Sequence, residues 1–296
     1  MPGAAVRPWL ARVGVPLVVA VPFAITGLAY LGVERVTGVD VPILPVLVGL
    51  LGLRAFTGAA ISAVLHRWGA HRSIEITPVL REPLRVWTWL WTGLGVRTWA
   101  AVHRRHHADP DGPDALFTPV GPRGFAAIGP MTLGAHWRAI RNPEPFERLV
   151  RDLPDDILER FVRSEERRLF GVLGLRVPLL VGLHVLPWLA VAPPGTALAL
   201  GVCTLPATVG AVTSGAVWLV NGLGHFAGER PHDTPDASAN VARRDVWLMG
   251  EGLHNNHHAR PGSASFALHP GELDPTYELL RLLAWAGLVR MRRSSA

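Results

Sequence analysis

Long stretches of this chain carry too few charges to face water. Val13 to Val33 runs 21 positions without a charged side chain. Coiled as an α-helix, that run reaches roughly 31 Å, about the thickness of a bilayer's hydrocarbon core. Val41 to Leu65 contains a single charge, Arg54. From Val177 to Gly228 there is no Asp, Glu, Lys or Arg in 52 positions. That length exceeds one crossing, and Pro193-Pro194-Gly195 interrupts it. It divides into helices over Phe170–Ala192 and Thr196–Phe226. The pattern predicts an all-α integral membrane fold with four transmembrane helices in two hairpins. Residues 1–296 read as a single domain, with 66–169 and 227–296 outside the bilayer. A cleaved signal peptide fits poorly, because the first run is long for a signal core and no cleavage site follows it.

Arginine placement sets the orientation. The short loops at Glu34–Asp40 and around Pro193 hold one arginine and none, whereas His66–Leu169 holds 16 arginines against 13 acids. Arg7 and Arg12 precede the first run. Both termini and both polar segments are therefore expected on the cytoplasmic side. Arg54 should face the bundle interior or a polar cavity.

Composition agrees: 49% of residues are hydrophobic and only 18% charged, against about a quarter charged in soluble domains. The formal net charge of +6 is compatible with nucleic acid or with a membrane face. The apolar runs decide for the membrane and against nucleic acid. Cys203 is the single cysteine, which excludes a disulfide scaffold, a four-cysteine zinc site and an iron–sulfur cluster within the chain.

The histidines carry the chemistry. Nine of the 13 fall in four short clusters: His66-Arg-Trp-Gly-Ala-His71, His103-Arg-Arg-His106-His107, Asn221-Gly-Leu-Gly-His225 and His254-Asn-Asn-His257-His258. All four lie on the expected cytoplasmic side. Helical residues at i, i+3 and i+4 share a face, so His103, His106 and His107 should project together, and likewise His254, His257 and His258. His66 and His71 stand five apart, about 140° around an α-helix, which predicts divergence toward two different metals. Neutral imidazole suits iron, copper, zinc and nickel. Eight or nine imidazoles can fill two sites of about four or five ligands each, more than one site could use. No carboxylate is built into the clusters, and Asn221 suits holding a metal-bound water. One such box alone is more often a surface feature; four on one membrane face are not. His184 reads as a packed residue of the third helix, and His136, His232 and His269 as loop residues.

These boxes resemble those of the membrane fatty acid desaturases, of the acyl-CoA (stearoyl-CoA, delta-9) type. The resemblance rests on His66 to His71, His103 to His107, Trp218-Leu-Val-Asn221-Gly-Leu-Gly-His225 and Gly250-Glu251-Gly-Leu-His254-Asn-Asn-His257-His258, in that order and separation. It spans Val41 to about Arg290. It implies four transmembrane helices capped by a cytosolic helical domain. It also implies a di-iron centre held by His66, His71, His103, His106, His107, His225, His254, His257 and His258, with Asn221 acting through water. The third box begins with His254 rather than Gln, which favours the acyl-CoA type over the front-end type. Relatives often follow the second box with Asp-Pro-His; here Ala108-Asp-Pro-Asp-Gly-Pro-Asp-Ala-Leu lacks that histidine.

The resemblance implies O2-dependent desaturation of a fatty acyl chain, carried on coenzyme A, on acyl carrier protein or on a lipid. With no fused cytochrome b5-like domain, electrons are expected from a separate ferredoxin, rubredoxin or cytochrome b5 with its reductase. Hydroxylation or conversion of alkene to alkyne by the same centre is the nearest competing activity. A metal-binding protein without turnover is a further alternative, and a transporter would want its polar groups at the bilayer midplane. Trp99 and Trp218, close to His103 and Asn221, should sit near the metals, either walling an acyl tunnel or marking the membrane interface. Leu84–Ala101 reads as an interfacial helix, Pro154–Phe170 as a helix with a solvated charged face, and Glu272–Arg293 as a C-terminal amphipathic helix.

Overall fold

The computed structural model describes residues 5–40, 42–120, 122–170 and 172–292. Val41 and Arg293, at the edges of two predicted elements, lie outside them. Strand β1 (Ala5–Val6) leads into α1 (Pro8–Thr37). Helix α2 (Ile43–Ile61) continues without a break as a π-helix over Ser62–Ala70. Next come β2 (Ile74–Ile76), α3 (Pro78–Thr92), α4 (Val96–Ala108), α5 (Ile128–Arg141), α6 (Glu144–Glu147) and α7 (Ile157–Glu166). Then follow α8 (Arg176–Val185), with a 3-10 extension to Ala190, and α9 (Pro194–Cys203). The latter passes through a π-turn into α10 (Ala211–Ser214) and a second π-helix, Gly215–Gly222, ending in a 3-10 turn at Leu223–His225. The chain closes with β3 (Gly228–Glu229), α11 (His254–Ala259), α12 (Pro275–Trp285) and β4 (Val289–Met291).

Among the described residues, three helices are long and apolar enough to cross a membrane: Trp9–Thr37, Ile43–Ala70 and Pro194–His225. Their outward faces expose Leu17, Val21, Ile25, Leu28, Leu44, Val48, Leu198 and Val202. A continuous apolar belt of this kind is stable only against lipid or another protein. Inward, Val15 and Val19 of α1 pack on Leu219 and Leu223 at the end of the third long helix.

The apolar helix predicted over Phe170–Ala192 is shorter than expected. It runs Arg176–Ala190, about 22 Å at the helical rise and short of a ~30 Å hydrocarbon core. Leu169 and Phe170 have φ of 57° and 56°, a left-handed conformation that ends regular helix before this segment. Arg54 is buried, as predicted, facing Gly215 of the opposite long helix.

Three polar predictions are corrected. The stretch Leu84–Ala101 is two helices, α3 and α4, separated at Gly93, whose φ of 75° is left-handed. The C-terminal helix ends at Trp285, and the residues after it form β4, antiparallel to β2. The charged face of α7 and the turn after it is solvated only in part: Arg160, Arg167 and Arg168 are exposed, but Glu159, Glu165 and Glu166 are all buried. Glu165 Oε2 accepts from Leu175 N–H at 2.7 Å, whereas Glu159 and Glu166 turn toward the N-terminus of α4, where four backbone N–H groups lack helical partners. Gly95 N–H donates to Glu166 Oε1 (2.5 Å) and Arg97 N–H to Glu159 Oε1 (3.0 Å). The Thr98 hydroxyl donates to Glu166 Oε2 at 2.8 Å. Arg85 reaches Glu159 from α3 at 3.0 Å. Two carboxylates thus cap the helix that carries His103, His106 and His107. His136 also differs from its prediction, lying on α5 with Nδ1–H donating to Thr132 O.

Burial pushes the Glu166 carboxyl from 4.5 up to about 7. The folded protein favours the neutral acid, so this contribution is full below the unfolded value and fades as pH rises through about 7. Glu166→Gln should therefore stabilise the protein relative to wild type by an amount that grows between about pH 5 and pH 8, reaching up to about 3 kcal/mol. Thermal unfolding in detergent across that range reads it. A difference that does not vary with pH would contradict it.

Candidate metal centre

The nine clustered histidines meet at one end of the long helices. One nitrogen from each of His66, His71, His103, His107 and His257 lies within 4.8 Å of all the others in that set. His106, His225, His254 and His258 form a second set by the same measure. The two sets are contiguous: His107 and His258 stack with ring centroids 4.4 Å apart.

His66 and His71 do not diverge. They belong to one set, with ring centroids 4.9 Å apart. The physical reason is the π-helix. Its i→i+5 hydrogen bond, here His71 N–H to His66 O at 3.1 Å, returns residue i+5 over residue i. The α4 and α11 boxes do the opposite of simple convergence. His103 and His107, one turn apart, serve the first set, while His106 faces the second; His257 goes to the first, and His254 and His258 to the second.

Space is made for these rings locally. A Cβ on Gly224 would stand 2.9 Å from His254 Cδ2. Gly250, just before Glu251, has φ of 98°, which favours glycine. Asn240 Oδ1 accepts from Asn255 N–H (2.9 Å) and Asn256 N–H (3.2 Å), anchoring the first turn of α11. Asn256 in turn donates to Phe266 O and to Glu272 Oε2, at 2.8 and 2.7 Å.

Sequence reasoning missed three carboxylates. His66 Nδ1–H donates to Glu251 Oε2 at 2.5 Å, His225 Nδ1–H to Asp111 Oδ2 at 2.9 Å, and His258 Nδ1–H to Asp236 Oδ2 at 2.7 Å. Each bond fixes the tautomer that leaves Nε2 as a bare lone pair directed inward. Glu251 also takes Ser62 and the fully buried Arg67, whose guanidinium ties to Asp274 at 2.5 Å and lies over Phe266. Asp111 stands within the stretch that follows the second box, where the expected histidine is missing. Glu251 lies in the third box. Nothing in the local sequence marks Asp236.

The charge states follow from this layout. Burial, then the neighbouring imidazoles, hold His71, His103, His106, His107, His254 and His257 well below the usual histidine range. Burial brings His258 down to about 4, although Asp236 pulls the other way. Asp111 and Asp236 stay ionised despite burial, because His225 and His258 lower their carboxyls.

The donor set fits metal cations. Nε2 atoms face one another at 3.0 Å (His66–His257), 2.9 Å (His257–His107), 3.0 Å (His107–His103) and 2.9 Å (His103–His71). His225 and His254 repeat this at 3.0 Å. Two bare lone pairs at that distance repel unless a proton or a cation lies between them. His106 Nε2 and His258 Nε2 are buried with no hydrogen-bond partner among the described residues. Such orphaned acceptors are costly unless they are ligands.

The other singled-out residues lie nearby. Trp99 stacks on His103 (centroids 4.7 Å, 14°) and meets His66 edge-on. Trp218 lies a layer further out, against Phe125 in a cluster that includes Phe117, which stacks on His106. Asn221 is half-buried in the π-helix that precedes His225. His184 is buried and bonded at both nitrogens, to Leu180 O and Thr208 Oγ1. His232 and His269 are loop residues, as predicted.

Known proteins resemble this chain over most of its length. The chain is 30% identical over 238 residues to "Delta-9 desaturase-like 5 protein" of Arabidopsis thaliana, covering 80% of this chain and 73% of that protein. It is 30% identical over 239 residues to "sn-1 stearoyl-lipid 9-desaturase" of Anabaena variabilis, covering 78% and 77%. It is 28% identical over 264 residues to "Hex-5-enoyl-[acyl-carrier protein] acetylenase" of Moorena producens (strain JHB), covering 84% and 77%. The family model for Fatty acid desaturase matches residues 41–289, a span that contains all nine converging histidines and the three carboxylates behind them, and the chain belongs to that family.

Proposed function

We propose that this protein is an O2-dependent di-iron desaturase that introduces a C=C bond into a saturated fatty acyl chain carried as a thioester, on coenzyme A or acyl carrier protein, or on a lipid. The observation that carries this reading is the inward convergence of nine imidazoles in sets of five and four. In this reading His66, His71, His103, His107 and His257 hold one iron, and His106, His225, His254 and His258 the other. Asn221 holds a water at the second.

Unactivated methylene C–H bonds are beyond acid–base side chains at neutral pH; bound iron with O2 supplies the oxidising power. The balance is CH2–CH2 + O2 + 2 electrons + 2 protons → CH=CH + 2 H2O. The electrons come from a separate ferredoxin, rubredoxin or cytochrome b5. The protein's part is geometric. Glu251, Asp111 and Asp236 keep protons on Nδ1 and so keep Nε2 free for ligation. Trp99, Phe266 and Phe117 pack against the imidazoles and exclude water. Trp99 and Trp218 wall the acyl tunnel.

We read four crossings, with Arg176–Ala190 as a short third span, both termini and the metal centre on the cytoplasmic side, and one domain throughout; three of those four helices are long and apolar enough to cross. His66 and His225 stand at the ends of two long helices, which supports placing the centre just outside the bilayer. A second reading, alkene to alkyne, is favoured by the similarity to an acetylenase.

Expression in a host lacking its own desaturase, followed by analysis of the acyl chains, separates the readings. Alkene product is expected, and Trp218→Ala should alter its chain length or double-bond position. Alkyne or alcohol alone would replace the proposed reaction. No new product, with donor and O2 supplied, would contradict the reading. An unchanged profile in the variant would remove Trp218 from the tunnel.

A further inference from the structure

Among the described residues outside the nine-histidine centre, one other pair of imidazoles converges tip to tip. His232, in the loop after β3, and His269, in the loop before α12, bring their Nε2 atoms to 3.2 Å, with ring centroids 5.1 Å apart and planes tilted by 33°. We propose that this pair is a separate surface clip for a single divalent transition-metal ion of the copper, nickel or zinc kind.

Two nitrogens about 2.0–2.1 Å from one ion stand roughly 2.9 Å apart at a right angle and roughly 3.4 Å apart at the tetrahedral angle. The observed separation falls between them. A neutral pair could instead share one N–H···N bond. At this half-buried to exposed position, however, water competes for it, and its net worth is small. Imidazole is a ligand of choice for the later first-row ions, which bind in the order nickel below copper and copper above zinc. Solvent on the His269 side leaves room for water as the remaining ligands.

Both rings are delivered by anchored backbone. His232 N–H donates to Asn255 Oδ1 at 2.8 Å, and Asn255 Nδ2 donates back to His232 O at 3.2 Å. His269 N–H donates to Glu272 Oε2 at 2.9 Å. Ligands held in place before the ion arrives lose less freedom on binding. The clip also joins two segments that support the main centre. The His232 loop carries Asp236, which holds His258, and Asn255 lies between His254 and His257. An ion here would pin that loop to the segment leading into α12. None of this depends on which ions the nine-histidine centre holds.

The test adds one equivalent of Cu2+ to the metal-loaded protein and reads the electron paramagnetic resonance spectrum and the binding isotherm. The expected result is one added Cu2+ per chain, coupled to two imidazole nitrogens. His269→Ala and His232→Ala should each lose one nitrogen coupling and weaken Cu2+ binding at least tenfold, with the core metal content unchanged as proof of folding. Coupling to fewer than two nitrogens in the wild type would overturn the proposal. Unaltered coupling and affinity in either variant that retains its core ions would do the same. The wild-type spectrum is decisive even if a variant fails to fold.

Discussion

Alanine at His257 should lower product formation to below about one-thousandth of wild type while leaving the protein in the membrane. His257 Nε2 approaches both His66 and His107, at 3.0 and 2.9 Å, so it ties α11 to both the α2 end and α4 within the five-histidine set. It is 1% exposed, and no other described side chain replaces it. Alanine at His107 should behave alike, since that ring touches His103, His257 and His258 across both sets. Neither residue lies in a candidate span, so insertion and expression should persist. Product measured by gas chromatography, beside the membrane-fraction yield, checks this. Full activity in both variants would defeat the ligand assignment.

Neutralising the carboxylates behind the rings should cost less, and in a particular order. Asp111→Asn and Asp236→Asn keep an oxygen to accept the Nδ1 proton but lose the charge that favours that tautomer. Such changes typically weaken metal binding by about 10–100-fold. Glu251→Gln should be the most damaging of the three. It also leaves the fully buried Arg67 with less compensating charge, and a buried, uncompensated charge is strongly destabilising. Metal content after dialysis against a graded chelator series measures the order. Acid should mimic the loss. His258 titrates at about 4 in the fold against 6.5 when unfolded, so the unfolded chain binds the extra proton first. The stability tied to its neutral ring is whole above about pH 6.5 and is lost progressively as pH falls toward about 4. A metal-free protein whose stability to unfolding stays flat across that window would contradict the burial argument.

The histidines were legible because i, i+3, i+4 spacing has one geometric meaning on a regular helix. The same rule misplaced His71, because it assumes 3.6 residues per turn where the chain adopts i→i+5 bonding. A local sequence does not display that choice, and Ser62 and Arg67 within this π-helix find their partner Glu251 nearly two hundred residues away. The carboxylates were hidden for a related reason. Asp111 and His225, or Glu251 and His66, are partners separated by more than a hundred residues. The acids of α7 show the limit of charge patterning. Alternating Glu and Arg read the same on a solvated helix and on one whose acids cap a neighbour, and only packing against Gly95 and Arg97 separates the two. The apolar runs placed the long helices well. The short third one was overextended because Leu169 and Phe170 look helical by composition and yet turn left-handed.

Metal analysis of freshly purified, active protein tests most directly whether the nine imidazoles bind two ions. About two irons per chain are predicted, one for each set. One iron or none in active material would contradict it.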